Sequence, residues 1–243
     1  MVSSVDHYAN HLGPIYTWMV GDIDAALARS GADLDALALP QGAASAVDLG
    51  AGFGLHAIPL ARRGLSVVAI DSYEPLLQEL AARQGALPIR TVTADLLDFR
   101  AHIGGSADVI LCMGDTLTHL PDTQSVQSLC TNVAASLAPG GVFVATFRDY
   151  ASQPLAGDQR FIPVRADAER ILTCFLEYAD SSVTVHDLLH QRDGGAWRLS
   201  VSSYRKLRLA PQWLAGELQT LGLDVSRDLT GGMVRMTARK SRR

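Results

Sequence analysis

Cysteine is scarce in this 243-residue chain, which has three. Cys112, Cys130 and Cys174 stand far apart and show no metal-ligand spacing. A disulfide framework and a cysteine-built metal site are both excluded, and reduced core thiols in a cytoplasmic protein are expected. Long apolar runs are also missing. No window approaches the ~18 residues of a membrane span, and Met1–His7 has no basic region followed by an apolar core. The chain therefore reads as soluble and unexported, with no membrane partner. Net charge is only −4, too near neutral for a polyanion partner, so nucleic acid is not expected. The basic run Arg239-Lys240-Ser241-Arg242-Arg243 reads as a solvated tail. No internal repeat or low-complexity segment is evident.

What is present is a core. At 48% hydrophobic, the chain suits one generous domain, or one domain with a cap. Ala46-Val47-Asp48-Leu49 is an apolar strand carrying an acid that runs into the turn Gly50-Ala51-Gly52-Phe53-Gly54. Glycines there let the backbone turn tightly and approach a ligand. The stretch from Phe53 to Arg63 reads as a helix whose free N–H groups face the bound molecule. A second strand, Ser66–Asp71, ends in an acid about 20 residues after Gly50, a spacing suited to gripping ribose hydroxyls. A third, from Ile89, ends in Asp95-Leu96, where an acid can accept from an adenine amine. A fourth, Asp108–Met113, opens into the polar loop Gly114-Asp115-Thr116-Leu117-Thr118-His119-Leu120. Pro139-Gly140-Gly141 then leads into a fifth strand, Val142–Phe147.

This ordered series resembles the class I S-adenosylmethionine-dependent methyltransferases, closely over about residues 45–149. The resemblance implies an α/β, Rossmann-like, seven-stranded, mostly parallel sheet with a C-terminal antiparallel hairpin, and S-adenosylmethionine as cofactor. It places Asp48 and the turn Gly50, Ala51, Gly52, Phe53 at the cofactor's methionine end. Asp71 falls on the ribose, Ser72 and Tyr73 along the adenosine, and Asp95 with Leu96 on the adenine. Within the family, Gly114-Asp115-Thr116 to His119-Leu120 is similar to the Gly-Asn-Ser-x-x-His-Leu loop of the glycine and glycine/sarcosine N-methyltransferases. Phe147-Arg148-Asp149-Tyr150 resembles their Arg-Asn-Tyr. Tyr8 and Tyr16–Asp22, including Trp18, resemble their N-terminal aromatic helix. Tyr8, Tyr16, Trp18, Met113, Gly114 and His119 are therefore expected at the cofactor. No Asn/Asp-Pro-Pro-aromatic motif follows strand four, which disfavours nucleic-acid base methylation.

Transfer from a sulfonium asks the protein to align the acceptor's lone pair, exclude water and see the acceptor proton gone. Asp115, where the family has Asn, favours a cationic amine or accepts a proton. His119 is either a general base, since an unshifted imidazole titrates near neutrality, or a structural ring. Arg148 is either an anion clamp for an acceptor carboxylate or the partner of Asp149. Tyr150, Tyr204 and Arg205 complete the expected acceptor contacts.

Three parts are expected: residues 1–44 as a helical segment over the pocket, with Ile15, Trp18, Met19, Ile23, Ala26 and Leu27 near helical period; a core of 45–149 and 210–243; and residues 150–209 as an inserted antiparallel sheet. Three strands are read in the insert, at 171–176, 183–189 and 197–202. It either caps the acceptor or forms a homodimer interface. The activity expected is methyl transfer to a nitrogen or oxygen of a small polar metabolite. Two alternatives stand beside it, an NAD(P)-dependent oxidoreductase and a noncatalytic cofactor-binding regulator. The first is disfavoured because the third glycine comes one residue early for GxGxxG.

Overall fold

Strands buried on both faces are mostly apolar, as the first, second, fourth and fifth runs are, whereas the run from Ile89 carries Arg90, Thr91 and Thr93 and is only partly buried. The computed structural model describes residues 4–242. It places β1 (Ser45–Leu49), β2 (Ser66–Asp71), β3 (Ile89–Thr93), β4 (Ala107–Cys112) and β5 (Leu137–Phe147) in one parallel array. The closing hairpin, β10 (Asp224–Thr230) and β11 (Met233–Arg239), turns at Gly231-Gly232 and adds β11 antiparallel to β5. The sheet order is β10-β11-β5-β4-β1-β2-β3.

Helices cover both faces. One core gathers Leu27 and Leu34 of α3 (Ile23–Ala36), Ile58 and Leu60 of α4 (Ala57–Arg62) and Leu77 and Leu80 of α5 (Glu74–Gln84) over the sheet. The opposite core gathers Leu129 and Val133 of α6 (Thr123–Ser136) with Leu214 and Leu218 of α7 (Pro211–Thr220). The helix read from Phe53 begins only at Ala57, because Gly54 sits at φ +95°, outside helical space.

The insert is a four-stranded antiparallel sheet of order β6-β7-β8-β9: β6 (Phe161–Ala166), β7 (Arg170–Tyr178), β8 (Ser182–Asp193) and β9 (Ala196–Leu207). The strand missed in the sequence, β6, contains Pro163; as an edge strand it tolerates the absent N–H. The inner face packs Leu172 and Leu189 on Leu12 and Ile15 of the N-terminal segment, and Leu176, Val185 and Tyr204 beside Tyr150. The outer face leaves Ile171, Trp197, Leu199 and Val201 exposed.

The N-terminal segment comprises α1 (Ser4–His7), a π turn (Tyr8–Leu12) and α2 (Gly13–Val20). Its approach to the core is close. A Cβ on Gly13 would stand 2.4 Å from Tyr73 Cε1, so only glycine fits there. Thr17 Oγ1 donates to Glu79 Oε2 of α5 at 2.7 Å.

The solvated C-terminal tail expected from the sequence is corrected. Arg239 donates to the carbonyls of Leu37 and Ala38, at 2.8 and 3.0 Å, and Lys240 Nζ to those of Ala134 and Leu137, both at 2.8 Å. Both cations satisfy helix-end carbonyls. Arg243, like Met1 to Ser3, lies outside the described residues.

Candidate active site

Parallel sheets with helices on both faces leave a crevice beyond the carboxyl ends of their strands. Here it is a cavity of about 250 Å³. The Gly50–Phe53 turn after β1, Asp71-Ser72-Tyr73 after β2, Asp95-Leu96 after β3 and Met113, Gly114 and His119 after β4 line it, with Tyr8 and Tyr16 opposite. These fourteen of the residues singled out in the sequence come together. Leu55, His56, Leu76, Ala94, Thr116, Leu120 and Pro121 also line it and were not foreseen.

Its floor is fixed by backbone geometry. Gly50 stands at φ +75°, and a Cβ there would fall 2.5 Å from Thr116 Cγ2. Asp71 spans two loops, with Oδ2 accepting from Gly52 N–H and Oδ1 from Tyr73 N–H, each at 2.8 Å. Ser72 N–H also bears on the carboxylate, and with about four lone-pair sites in the ionised form capacity remains for a ligand. Burial raises its pKa, against these backbone bonds. Asp95 is exposed and accepts Leu97 N–H at 2.8 Å, capping the 3-10 helix Leu96–His102 while it lines the cavity.

Asp48 lies beneath the floor rather than on the cavity. It is 1% exposed, takes Ala57 N–H at the start of α4, and leaves Oδ2 without a partner. Burial, followed by the Asp71 charge, pushes its pKa up to about 7. The folded protein thus keeps a proton that the unfolded chain releases near pH 4, so this group's contribution to stability falls as pH rises from about 4 to about 7. Urea denaturation of D48N is expected to lose that part of the pH dependence, giving a variant at least as stable as wild type at pH 8. A midpoint lower than wild type by the same amount at pH 5 and pH 8 would contradict this.

Asp115 is a hub. It adopts φ +73°, a left-handed conformation that Asp and Asn tolerate best among residues with a side chain. Oδ1 accepts from Arg148 N–H at 2.9 Å and Thr118 Oγ1 at 3.1 Å; Oδ2 accepts from Tyr150 OH at 3.1 Å and from Lys206 Nζ. Burial raises its pKa, but the Lys206 ammonium and the Arg148 N–H outweigh that and hold the carboxyl below its usual range. Asp115 is a buried anion with its oxygens occupied, which corrects the expectation of a free proton acceptor.

His119 lines the cavity with Nδ1 buried and unpartnered. Its ring stacks on Tyr204, with centroids 5.4 Å apart and planes 8° apart, and meets Tyr8 edge-on at 5.7 Å. Burial, helped by the Lys206 charge, lowers its pKa to about 3. Burial thus favours the neutral ring, which counts against the general-base alternative for His119 and for the structural one.

Other expected contacts lie off the cavity. Trp18 turns to the insert, where Nε1 donates to Asp167 Oδ2 at 2.5 Å and the guanidinium groups of Arg165 and Arg170 face its ring. Two residues apart on a helix, Tyr16 and Trp18 point to different faces. Arg205 alternates with the buried Tyr204 and Lys206, so it points outward, toward Ser181 Oγ at 3.3 Å. Tyr150 spends its hydroxyl on Asp115. Arg148 is exposed and has no ion pair with Asp149, whose Oδ1 instead takes the N–H groups of Ala151 and Ser152. Two buried residues went unnoticed in the sequence, Lys206 and His7. The alternation of β9 was the signal available for Lys206.

Residues 46–141 match the family model described as a methyltransferase domain. Over that stretch the chain is similar to methyltransferase domains. Its fold is that of the class I methyltransferases throughout. An S-adenosylmethionine-bound amino pentose methyltransferase from Micromonospora echinaspora superposes with a TM-score of 0.77 over 95% of this chain and 97% of that one, at 16% identity. DesVI of Streptomyces venezuelae gives 0.75 over 99% and 100%, at 17% identity. Rat glycine N-methyltransferase is 26% identical over 159 residues, covering 60% of this chain and 54% of the relative. A ubiquinone biosynthesis O-methyltransferase of Escherichia fergusonii is 35% identical over 103 residues, 41% of each chain. The chain thus spans about half the length of the curated relatives it matches. Among its described residues, no helix is long and apolar enough to cross a membrane.

Proposed function

We propose that this chain transfers a methyl group from S-adenosylmethionine to a nitrogen of a small polar acceptor. One observation carries the reading: a single cavity gathers the glycine turn, Asp71, Asp95-Leu96 and His119 at the carboxyl ends of β1 to β4. The residues fit the cofactor. Gly50 and Gly52 bring bare backbone at positive φ to the cavity, and Asp71 lines it with a carboxylate for ribose hydroxyls beside an adenosine wall of Ser72, Tyr73 and Leu96.

When bound, S-adenosylmethionine supplies a methyl group already activated on a sulfonium. The chain binds, orients and dries the site. Tyr8, Tyr16 and Phe53 exclude water over the turn, which strengthens every polar contact inside. His119, held neutral, offers a ring nitrogen to an acceptor N–H and so aims the acceptor's lone pair. Desolvation in the cavity favours the neutral, nucleophilic form of an amine. The N-terminal segment acts as the lid and the inserted sheet as the cap.

Incubation with methyl-labelled S-adenosylmethionine and a panel of amino acids, small amines and amino sugars tests this. Label is expected in an N-methylated product, identified by mass spectrometry; label confined to hydroxyl or carboxyl products would overturn the nitrogen assignment. Arg148, which lies outside the cavity and has no ion pair with Asp149, is read as a clamp for an acceptor's anionic group that extends beyond the cavity. Arg148→Ala is expected to raise acceptor KM on the order of tenfold, the worth of one charge-assisted bond, and to leave S-adenosylhomocysteine affinity unchanged. Steady-state kinetics beside calorimetry check this, and an unchanged KM would remove the clamp.

A further inference from the structure

The N-terminal segment sends one polar side chain deep into the inserted sheet. His7 is fully buried; its Nε2 lies 2.9 Å from Asp187 Oδ2 and its Nδ1 2.8 Å from Ser202 Oγ. Asp187 is 1% exposed, and its other oxygen takes a hydrogen bond from Cys174 Sγ at 2.8 Å. Both ring nitrogens and both carboxylate oxygens therefore have partners. Networks satisfied in this way fix orientation, whereas an apolar side chain would fill the same space without that constraint.

The orientation is passed on. The His7 ring packs on Tyr204, with centroids 4.1 Å apart and planes at 29°, and Tyr204 packs on His119. Three rings from distant stretches of sequence form one column. Of the three, only His119 reaches the cavity.

We propose that His7 is a positioning residue for His119: tethered by Asp187 and Ser202, it backs Tyr204, whose ring sets the plane of the His119 imidazole on the cavity wall. The role rests on the reading of His119 as the acceptor-facing ring. It makes the wall composite, complete only when the N-terminal segment is docked on the insert. Closure of the lid and assembly of the acceptor wall become one event.

The test reads His119 directly. Long-range proton–nitrogen spectra of protein labelled in its seven histidines are assigned for His119 with His119→Asn, and S-adenosylhomocysteine affinity is measured on the same samples. His7→Ala is expected to shift or split the His119 ring signals, and His7→Phe, which keeps a ring but no polar tether, to restore them in part. Leu218→Ala, a truncation in the far core, is expected to lower stability and leave the His119 signals in place. Should His7→Ala fail to fold, Asp187→Asn loosens the same tether and is expected to shift the signals less. Wild-type His119 signals in folded His7→Ala or Asp187→Asn would overturn the proposal, as would an equal shift in Leu218→Ala. Failure of S-adenosylhomocysteine to bind wild type would sink the cofactor reading alone, because the ring signals report the column without ligand.

Discussion

Replacing Asp71 with alanine is expected to weaken S-adenosylhomocysteine binding by at least about 100-fold, the largest binding effect of any single change in this site. The side chain does two jobs. It ties Gly52 to Tyr73 through two backbone hydrogen bonds of 2.8 Å, and it lines the cavity, where it is read as holding the ribose hydroxyls. Each hydrogen bond to a charged group is worth about 1.5–3 kcal/mol, so losing two to ribose hydroxyls spans roughly two to four powers of ten in affinity. The two jobs separate in Asp71→Asn, which retains one carbonyl acceptor and is expected to bind at an intermediate level. Calorimetry at matched fold content, checked by circular dichroism, reads the outcome. Wild-type affinity in the alanine variant would remove the ribose role.

Lys206→Met is expected to cost about 3 kcal/mol of stability, the usual penalty for leaving a buried charge without its partner. Asp115 is 4% exposed and Lys206 7%, and their pair joins the loop after β4 to β9 of the insert. The sign with pH follows from the partner. The folded state holds the Asp115 carboxyl below its usual range, so the pair stabilises above about pH 4, where the unfolded carboxyl ionises, and fades as pH falls through the folded value. The gap between wild type and variant should be widest near pH 7 and close in acid. Asp115→Asn combined with Lys206→Met should recover much of the loss, because no unpaired charge remains. Urea denaturation of the three variants across pH checks this; a gap independent of pH would show that Lys206 acts through packing alone.

The parallel sheet was legible because its inner strands are apolar and buried and the strands end in the acids and glycines that shape the crevice. Asp71, the Gly50–Phe53 turn and His119 were found for that reason, since local sequence dictates local geometry there. What was not legible depended on faces and partners. One residue of alternation decides that Lys206 points inward and Arg205 outward, and the strand limits were read too short to fix it. Trp18 shared the helical period of its neighbours but faces the insert. His7 and Lys206 find their carboxylates 180 and 91 residues away in sequence, and no local pattern announces such a pairing. Asp115 was picked out for its place in the loop, while its work is set by Lys206, Tyr150 and Arg148 N–H, which only the fold brings to it.

The central claim is that the crevice was built for an adenosyl sulfonium cofactor, and one titration addresses it. Purified protein is titrated by calorimetry with S-adenosylhomocysteine, and with NADH as control. Micromolar, one-to-one binding of S-adenosylhomocysteine is expected, with no heat from NADH. Binding of NADH with none of S-adenosylhomocysteine would contradict it and return the chain to the dinucleotide oxidoreductases.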